Sequence, residues 1–146
     1  MTNGSIESCD LTGATLISAN TQFTKIRNSV LKDCSFKYCN VHKTEFLDSD
    51  LSESIIYGTH GICDYIKNIQ VDTYPTSYTN SRIQMGCENL SIETARAMDD
   101  KFVIGLDGKT ALKFWRANKE MIFSTMESYP AIDSVDRKPK RPRRTI

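Results

Sequence analysis

A side-chain pattern that repeats every five residues runs through the first 58 positions of the chain. A large apolar residue recurs from Ile6 to Ile56, and among the eleven members of this series only Thr21 is polar. Two positions before each member stands a small side chain, from Gly4 to Ser54. The large apolar series and the small series keep the same spacing through eleven five-residue units, which indicates a structural repeat.

Neither regular element places every fifth residue on one side. A step of five turns an α-helix by about 500°, and an odd step on a β-strand moves the side chain to the other face. A coil of short straight segments with a corner in each can bury one large and one small residue per unit. The residues expected to form this buried core are Leu11, Leu16, Ile26, Leu31, Phe36, Val41, Phe46, Leu51 and Ile56.

The repeat closely resembles the pentapeptide-repeat family, whose motif is often written A(D/N)LXX. The best matches are Cys9-Asp10-Leu11, Ala14-Thr15-Leu16, Ala19-Asn20-Thr21, Cys39-Asn40-Val41 and Ser49-Asp50-Leu51. The resemblance implies a mainly β fold, a right-handed quadrilateral β-solenoid over residues 4–58 with four pentapeptides per coil. Side chains twenty residues apart should then stack, as in the column formed by Ile6, Ile26 and Phe46.

Residues 59–130 are expected to form a small α/β cap that ends in a helix. The stretches YIKNIQVDTY and YTNSRIQMG predict two strands of a hairpin, with PTS as the turn between them. NLSIETARAMDD predicts a short helix with Ser91 at its N-cap. GKTALKFWRANKEMIFSTMESYPA predicts a longer helix that Asp107 can cap and that ends at Tyr129-Pro130. Its apolar face favours packing within the domain, with binding of a partner as the alternative.

The stretch from Ile83 to Ile122 resembles a module that follows pentapeptide repeats in bacteriophage and prophage proteins. The module's pattern is a Gly-Cys pair, a helix, and then an Ala-Leu-x-Phe/Trp-Trp helix. It often carries a His and a Trp after the Gly-Cys pair, where this chain has Leu90 and Ala95. The resemblance implies an accessory viral or prophage protein. The matching residues are Gly86, Cys87, Ala111, Leu112, Phe114 and Trp115.

Positive charge is concentrated at the C-terminal end of the chain. Residues 131–146 are expected to be a flexible basic tail, and within it RKPKRPRR holds six basic residues and no acid. The rest of the chain then has thirteen basic and eighteen acidic residues, a net charge near −5. The tail has three interpretations: a solubilising end, an arm that contacts nucleic-acid phosphates, or a segment that docks onto an acidic protein. Its basic residues are Arg137, Lys138, Lys140, Arg141, Arg143 and Arg144.

Catalytic and metal-binding patterns are weak in this sequence. The five cysteines include no CxxC pair, so they predict reduced thiols and no metal site. His60 and Cys63 lie close in sequence, but a nucleophile also needs a base in reach and an oxyanion site. We interpret them as a linker histidine and a core cysteine, and His42 as a solvated side chain. No enzymatic activity and no cofactor are expected.

We therefore expect a non-enzymatic macromolecule-binding protein that modulates an unidentified host protein or a defence system. No signal peptide or membrane-spanning run is visible, which favours the bacterial cytoplasm and no membrane partner. One alternative is a nucleic-acid-binding protein that uses the tail. Another is a DNA mimic that binds type II topoisomerase (gyrase), although a net charge of −2 over residues 1–57 disfavours it. Dimerisation through the free end of the repeat is left open.

Overall fold

The computed structural model describes residues 3–71 and 73–135, which form two sheets and two helices. The first sheet is parallel and has its strands in sequence order. Its strands are β1 (Ser5–Glu7), β2 (Lys25–Arg27) and β3 (Glu45–Leu47). Paired residues are twenty positions apart, with Ile6 opposite Ile26 and Ile26 opposite Phe46. The predicted stacking of this column is therefore confirmed.

The twenty-residue register continues outside the three strands as isolated bridges. Asp10 pairs with Val30, and Asn40 pairs both with Asn20 and with His60. The backbone N–H of Lys43 donates to the Ile62 carbonyl over 2.7 Å. Pairing thus extends beyond Ile56, where the side-chain motif ends, because backbone hydrogen bonds do not depend on that motif.

A bend in the left-handed conformation recurs every five residues from Asn3 to Gly58, with Glu53 as the exception. Nine non-glycine residues from Asn3 to Asp48 have a positive φ, and Gly13 and Gly58 occupy the same position in their own units. A residue with a Cβ costs about 1–2 kcal/mol in this conformation, less for Asn and Asp, and glycine avoids the cost. Burial of the inward-facing side chain of each unit is a contribution that can offset this strain.

The buried core of the first half follows the five-residue pattern. Leu11 and Leu16 are only half-buried because they lie in the outermost layer. In the described part of the chain, β1 in that layer pairs with β2 and with no other strand. The fully buried members of the predicted core are Ile26, Leu31, Phe36, Val41, Phe46, Leu51 and Ile56.

The second half is an antiparallel sheet covered by helices. The sheet has the order β4-β5-β6-β7. Its strands are β4 (Lys67–Ile69), β5 (Thr76–Tyr78), β6 (Arg82–Met85) and β7 (Glu88–Ser91). The helices are α1 (Ile92–Ala97) and α2 (Asp100–Ser128). None of the helices in the described residues combines the length and apolar character needed to cross a membrane.

Two local predictions for this half were wrong. The PTS segment is not a turn, because Thr76 and Ser77 belong to β5 and the sheet has four strands rather than two. The long helix begins at Asp100 with Asp99 as its N-cap, earlier than predicted, and the predicted start after Asp107 falls at a break within it. The prediction of Ser91 as the N-cap of the short helix is confirmed, since its side chain accepts from the Thr94 N–H.

The fold-class prediction of a mainly β, right-handed quadrilateral β-solenoid is wrong. The structure has a parallel three-stranded sheet, an antiparallel four-stranded sheet and one long helix, and the described residues show no closed or solenoid sheet. The helices hold 6 and 29 residues, whereas every strand holds three or four. A bend every five residues leaves straight segments too short for regular strands, so most of the pairing in the first half is by single bridges.

The two halves meet where the second sheet covers the end of the first half. The Ile56 N–H donates to Gln84 Oε1 over 2.8 Å, and Asn89 Nδ2 donates to the Ser54 carbonyl over 3.2 Å. The Leu51 N–H donates to Ser134 Oγ. We call this contact the seam, and it satisfies backbone groups of the last layer that would otherwise be buried without partners.

Candidate functional site: an apolar cavity and an aromatic strip

An apolar cavity of about 190 Å³ lies in the second half of the molecule. Four side chains that carry a polar group, Tyr74, Cys87, Glu88 and Asp107, line it. The rest of its lining is almost entirely hydrophobic, so the cavity favours an apolar occupant. Its apolar wall includes Met85, Met98, Val103, Ala111, Phe114 and Trp115.

The cavity lies beside a break in helix α2. Asp107 and Gly108 have non-helical backbone angles, and Gly108 has φ 66° and ψ −148°, a region that is essentially open to glycine alone. The segments before and after the break both contribute to the wall, through Val103 and Phe114 respectively. The break therefore creates a concave surface that a continuous helix would not present.

A hydrogen bond ties the break to the loop before β5. The Tyr74 hydroxyl donates to Asp107 Oδ2. This bond to a carboxylate favours the neutral phenol and is the main cause that raises the pKa of Tyr74 to about 12. The Tyr74 ring also packs edge-on against Phe114, with 5.0 Å between the ring centroids. Sheet and helix thus hold the cavity mouth from both sides.

Trp115 presents an unpaired donor within this wall. The side chain is 3% exposed, and its Nε1 is buried with no acceptor among the described residues. An indole N–H can only donate, and leaving it unpaired costs about 1–3 kcal/mol. The Nε1 atom has almost no accessible surface, so this donor lies behind the cavity wall and not on its surface.

Cys87 lines one side of the cavity. It is an exposed free thiol in the turn between β6 and β7. The pKa of Tyr57 is raised, mainly by its interaction with Tyr38, then by burial and by Cys87. Cys87 makes the same contribution at Tyr74.

An aromatic strip, defined by Ile17, Lys37, Tyr38 and Tyr57, covers one corner of the first half. The Tyr38 and Tyr57 rings pack edge to face with centroids 5.3 Å apart, and Lys37 Nζ lies 5.4 Å from each centroid. Ile17 and Tyr38 are 52% and 45% exposed. The Tyr38 ring packs so closely on Gly58 that an added Cβ there would lie 2.5 Å from Tyr38 Cδ1.

A second, smaller exposed group surrounds His42. Phe23 packs edge-on against the imidazole at 5.6 Å, and His42 Nδ1 accepts the Ile62 N–H over 3.1 Å. The interpretation of His42 as merely solvated was therefore wrong. The imidazole is half-buried and accepts a backbone hydrogen bond that helps to extend the twenty-residue register.

The structure does not bring His60 and Cys63 together as a nucleophile and base. His60 is exposed, whereas Cys63 is buried and its thiol donates to the Thr44 carbonyl. Burial is the main cause that raises the pKa of Cys63, which disfavours the reactive thiolate. Among the described residues, no group of three His, Cys, Asp or Glu side chains has the geometry to hold a metal ion.

The residues behind the similarity to the phage module meet at the cavity. Cys87, Ala111, Phe114 and Trp115 all line it, and Leu112 packs against the same core. The basic tail residues from Arg137 to Arg144 lie outside the described residues. Sequence reasoning missed the cavity and the strip, although the offset of twenty between Lys37 and Tyr57 could have signalled the strip.

Comparison with known proteins adds no assignment. No protein-family model matches this chain, and no curated protein matches it either.

Proposed function

We propose that this chain is a non-enzymatic protein-binding module that contacts its partner through the aromatic strip. The observation that carries the proposal is the stack of Ile17, Lys37, Tyr38 and Tyr57 on a backbone held by parallel pairing. Ile17 and Tyr38 are exposed, and the other two are half-buried. Tyrosine is enriched in the energetically important parts of protein interfaces. Side chains that are already ordered before binding lose little entropy when a partner covers them.

The chemistry of the strip supports a protein as the partner. Tyr38 and Tyr57 offer flat apolar rings with a polar edge, which suits a surface that is partly apolar and partly wet. Lys37 lies near both rings and adds one positive charge. A partner surface that has an apolar patch with a backbone carbonyl or a carboxylate at its border would complement the strip.

The two resemblances support a narrower proposal about origin. The five-residue motif and the pairing of residues twenty apart support kinship with the pentapeptide-repeat family. The Gly86-Cys87 pair and the Ala111 to Trp115 segment support a bacteriophage or prophage accessory protein. In this proposal the partner is a host protein or a component of a defence system in the bacterial cytoplasm.

A second candidate function is binding of nucleic acid through the basic tail. Six basic side chains within residues 137–144 support it, because each can neutralise a phosphate without reading sequence. Binding of this kind would weaken steeply as the salt concentration rises.

A pull-down from bacterial lysate tests both candidates. The bait proteins are the full chain, a version that ends at Asp136, and the double variant Ile17→Ser with Tyr38→Ser, each with and without nuclease treatment of the lysate. We expect one host protein to bind the first two baits despite nuclease and to be lost with the double variant. Phe102→Ser is the control, because Phe102 is exposed to a similar extent, 43%, on helix α2.

Two results would contradict the strip as the binding surface. One is equal loss of the partner with Phe102→Ser, which would indicate non-specific capture by exposed apolar groups. The other is retention of nucleic acid alone, abolished by nuclease and by removal of the tail. That second result would favour nucleic-acid binding.

A further inference from the structure

We propose that the basic segment of this chain, residues 137–144, docks into a groove on the first half of the same molecule. We call it the acidic groove and define it by Val30, Asp48, Asp50 and Glu53. An acidic protein surface is one of the three partners that the composition of the tail favours, and here that surface belongs to the chain itself. The contact is internal and does not depend on the partner proposed above.

The acidic groove combines negative charge with an apolar surface. It has a volume of about 400 Å³ and lies between the stretches 29–32 and 48–53. Asp48, Asp50 and Glu53 are exposed, and Val30 is 51% exposed. Lysine and arginine side chains cover apolar surface with their hydrocarbon stems while their charged ends stay in water. The groove therefore suits a segment that is rich in these two residues.

The chain itself leads into the groove. The Ser134 carbonyl accepts the Ser49 N–H over 3.1 Å, and Ser134 Oγ accepts the Leu51 N–H over 3.3 Å. The next residue, Val135, lines the groove together with the three acids. The basic segment begins two positions later, at Arg137. It therefore starts where the carboxylates are.

The charges of the segment and the groove are opposite. Residues 137–144 contain six basic side chains and no acid. The described lining of the groove contains three carboxylates and one basic side chain, that of Lys32. Glu53 forms no ion pair with another described residue. An exposed ion pair is weak by itself, so docking requires several pairs that form together and is weakened by salt.

The short connection favours the chain's own segment over that of a second copy. Arg137 to Arg141 lie two to six positions after Val135, so even a fully extended chain keeps them within about 20 Å of it. Such a tether gives an effective concentration on the order of millimolar. In dilute solution a second copy is present at a far lower concentration, so its segment competes poorly.

Carbodiimide cross-linking of the full chain at low salt tests the proposal. The reagent joins a lysine amine to a carboxylate in contact with it, and mass spectrometry of the digested protein identifies the pair. We expect Lys138 and Lys140 to be joined to Asp48, Asp50 or Glu53. These links should be at least fivefold more frequent than links to the exposed acids of the helices, which are Glu93, Glu120 and Glu127.

An equal mixture of unlabelled and ¹⁵N-labelled chains identifies the molecule that supplies the segment. Links within one chain join two unlabelled or two labelled peptides, whereas links between copies also join one of each. We expect only the first kind. Mixed pairs at the groove would show that the segment of a second copy occupies it, and this result would contradict docking within the chain.

A groove variant tests whether the carboxylates hold the segment. Asp48→Asn, Asp50→Asn and Glu53→Gln together remove the charge and keep the size of each side chain. Asp50 accepts the Ser52 N–H, and Asn20 and Asn40 accept the corresponding N–H in their own units, so asparagine preserves this local bond. The control combines Glu93→Gln, Glu120→Gln and Glu127→Gln, which changes the net charge equally on the helices.

The order parameters of the Lys138 and Lys140 amides, from ¹⁵N relaxation at low salt, are the readout. We expect them to fall below about 0.6, the range of a flexible backbone, in the groove variant and to stay higher in the unaltered chain and the control. Far-UV circular dichroism establishes that both variants are folded. If the groove variant does not fold, the cross-links of the unaltered chain decide the matter.

Two further results would overturn the proposal. The first is a set of cross-links from Lys138 and Lys140 that is spread evenly over the acids of the groove and of the helices, as a freely moving segment would give. The second is a pair of order parameters that is the same in a folded groove variant as in the unaltered chain.

Discussion

At the scale of single residues, the recurrent bends show how neighbours set the cost of a conformation. Gly13 and Gly58 have nearly the same φ, 70° and 67°. An added Cβ at Gly13 would meet nothing within 4 Å, whereas at Gly58 it would strike the Tyr38 ring. The left-handed backbone is therefore tolerated by many residue types in this chain, and the aromatic strip is what demands glycine at position 58.

We expect Gly58→Ala to destabilise the protein much more than Gly13→Ala. Both variants incur backbone strain of about 1–2 kcal/mol, and the overlap with Tyr38 at position 58 adds about 1–3 kcal/mol. Urea unfolding followed by tryptophan fluorescence measures both free energies of unfolding. Equal losses would show that the Tyr38 ring moves aside without cost.

The buried thiol of Cys34 should make the stability of the protein sensitive to alkaline pH. Burial is the main cause that raises the pKa of Cys34 from 9.0 to about 11. The Cys34 thiol ionises less readily in the folded state than in the unfolded state. Its contribution to the free energy of unfolding is therefore fully present below pH 9 and is lost as the pH rises towards about 11.

Cys34→Ala should therefore reduce the loss of stability between pH 8 and pH 10, measured by urea unfolding under reducing conditions. Its stability at pH 8 should be lower, because the substitution leaves a small void. Cys9→Ala is the matched control, since the Cys9 thiol is exposed in the outermost layer. A pH dependence equal to that of the unaltered chain would contradict the assignment.

At the scale of elements, helix α2 shows how one residue interrupts a strong local pattern. Asp99 caps the helix start, and the helical stretch continues to Ser128 apart from the break at Asp107 and Gly108. Gly108 supplies a conformation that other residues avoid, and the Tyr74 hydroxyl is bonded to Asp107. The break positions both parts of the helix around the cavity.

We expect opposite effects from two glycine substitutions in α2. Gly108→Ala should lower the free energy of unfolding by about 1–3 kcal/mol, since alanine is strained in that conformation. Gly105→Ala should raise it by about 0.5–1 kcal/mol, because Gly105 lies in regular helix with open space around it. Thermal unfolding by circular dichroism compares the two. Stabilisation by Gly108→Ala would show that the break is dispensable.

At the scale of the whole molecule, the seam joins two separate hydrophobic cores. One core contains the stacked residues of the first half, and the other contains Trp115 and the helices. Gln84 is buried in the seam, where its Oε1 accepts the Ile56 N–H. The second sheet thereby covers the last layer of the first half and leaves the opposite, outermost layer half-exposed.

Gln84→Met should lower the free energy of unfolding by about 1–3 kcal/mol, because it leaves the buried Ile56 N–H without an acceptor. Gln70→Met is the control, since Gln70 is exposed, and should change stability by less than about 0.5 kcal/mol. Hydrogen exchange at the Ile56 amide should accelerate only in the first variant. An unchanged exchange rate would mean that the bond does not hold the seam.

The sequence was informative where structure depends on neighbours along the chain. The alternation of large and small side chains predicted the buried series from Ile26 to Ile56, and Ser91 was recognisable as an N-cap because capping involves residues two or three positions away. Prediction failed at the PTS segment, where a locally turn-like composition pairs with β4 and β6. The overall class was also wrong, because a repeated bend does not by itself extend into regular strands.

The sequence by itself determined the five-residue layering of the first half, since side-chain size at fixed short spacings decides which residue can point inward. Tertiary structure alone decided the seam, the aromatic strip and the cavity. Each of these requires residues far apart in the chain to meet, such as Tyr74 with Asp107 or Gln84 with Ile56. The order of residues along the chain does not show which distant residues will meet, because these contacts form only when both halves fold and pack against each other.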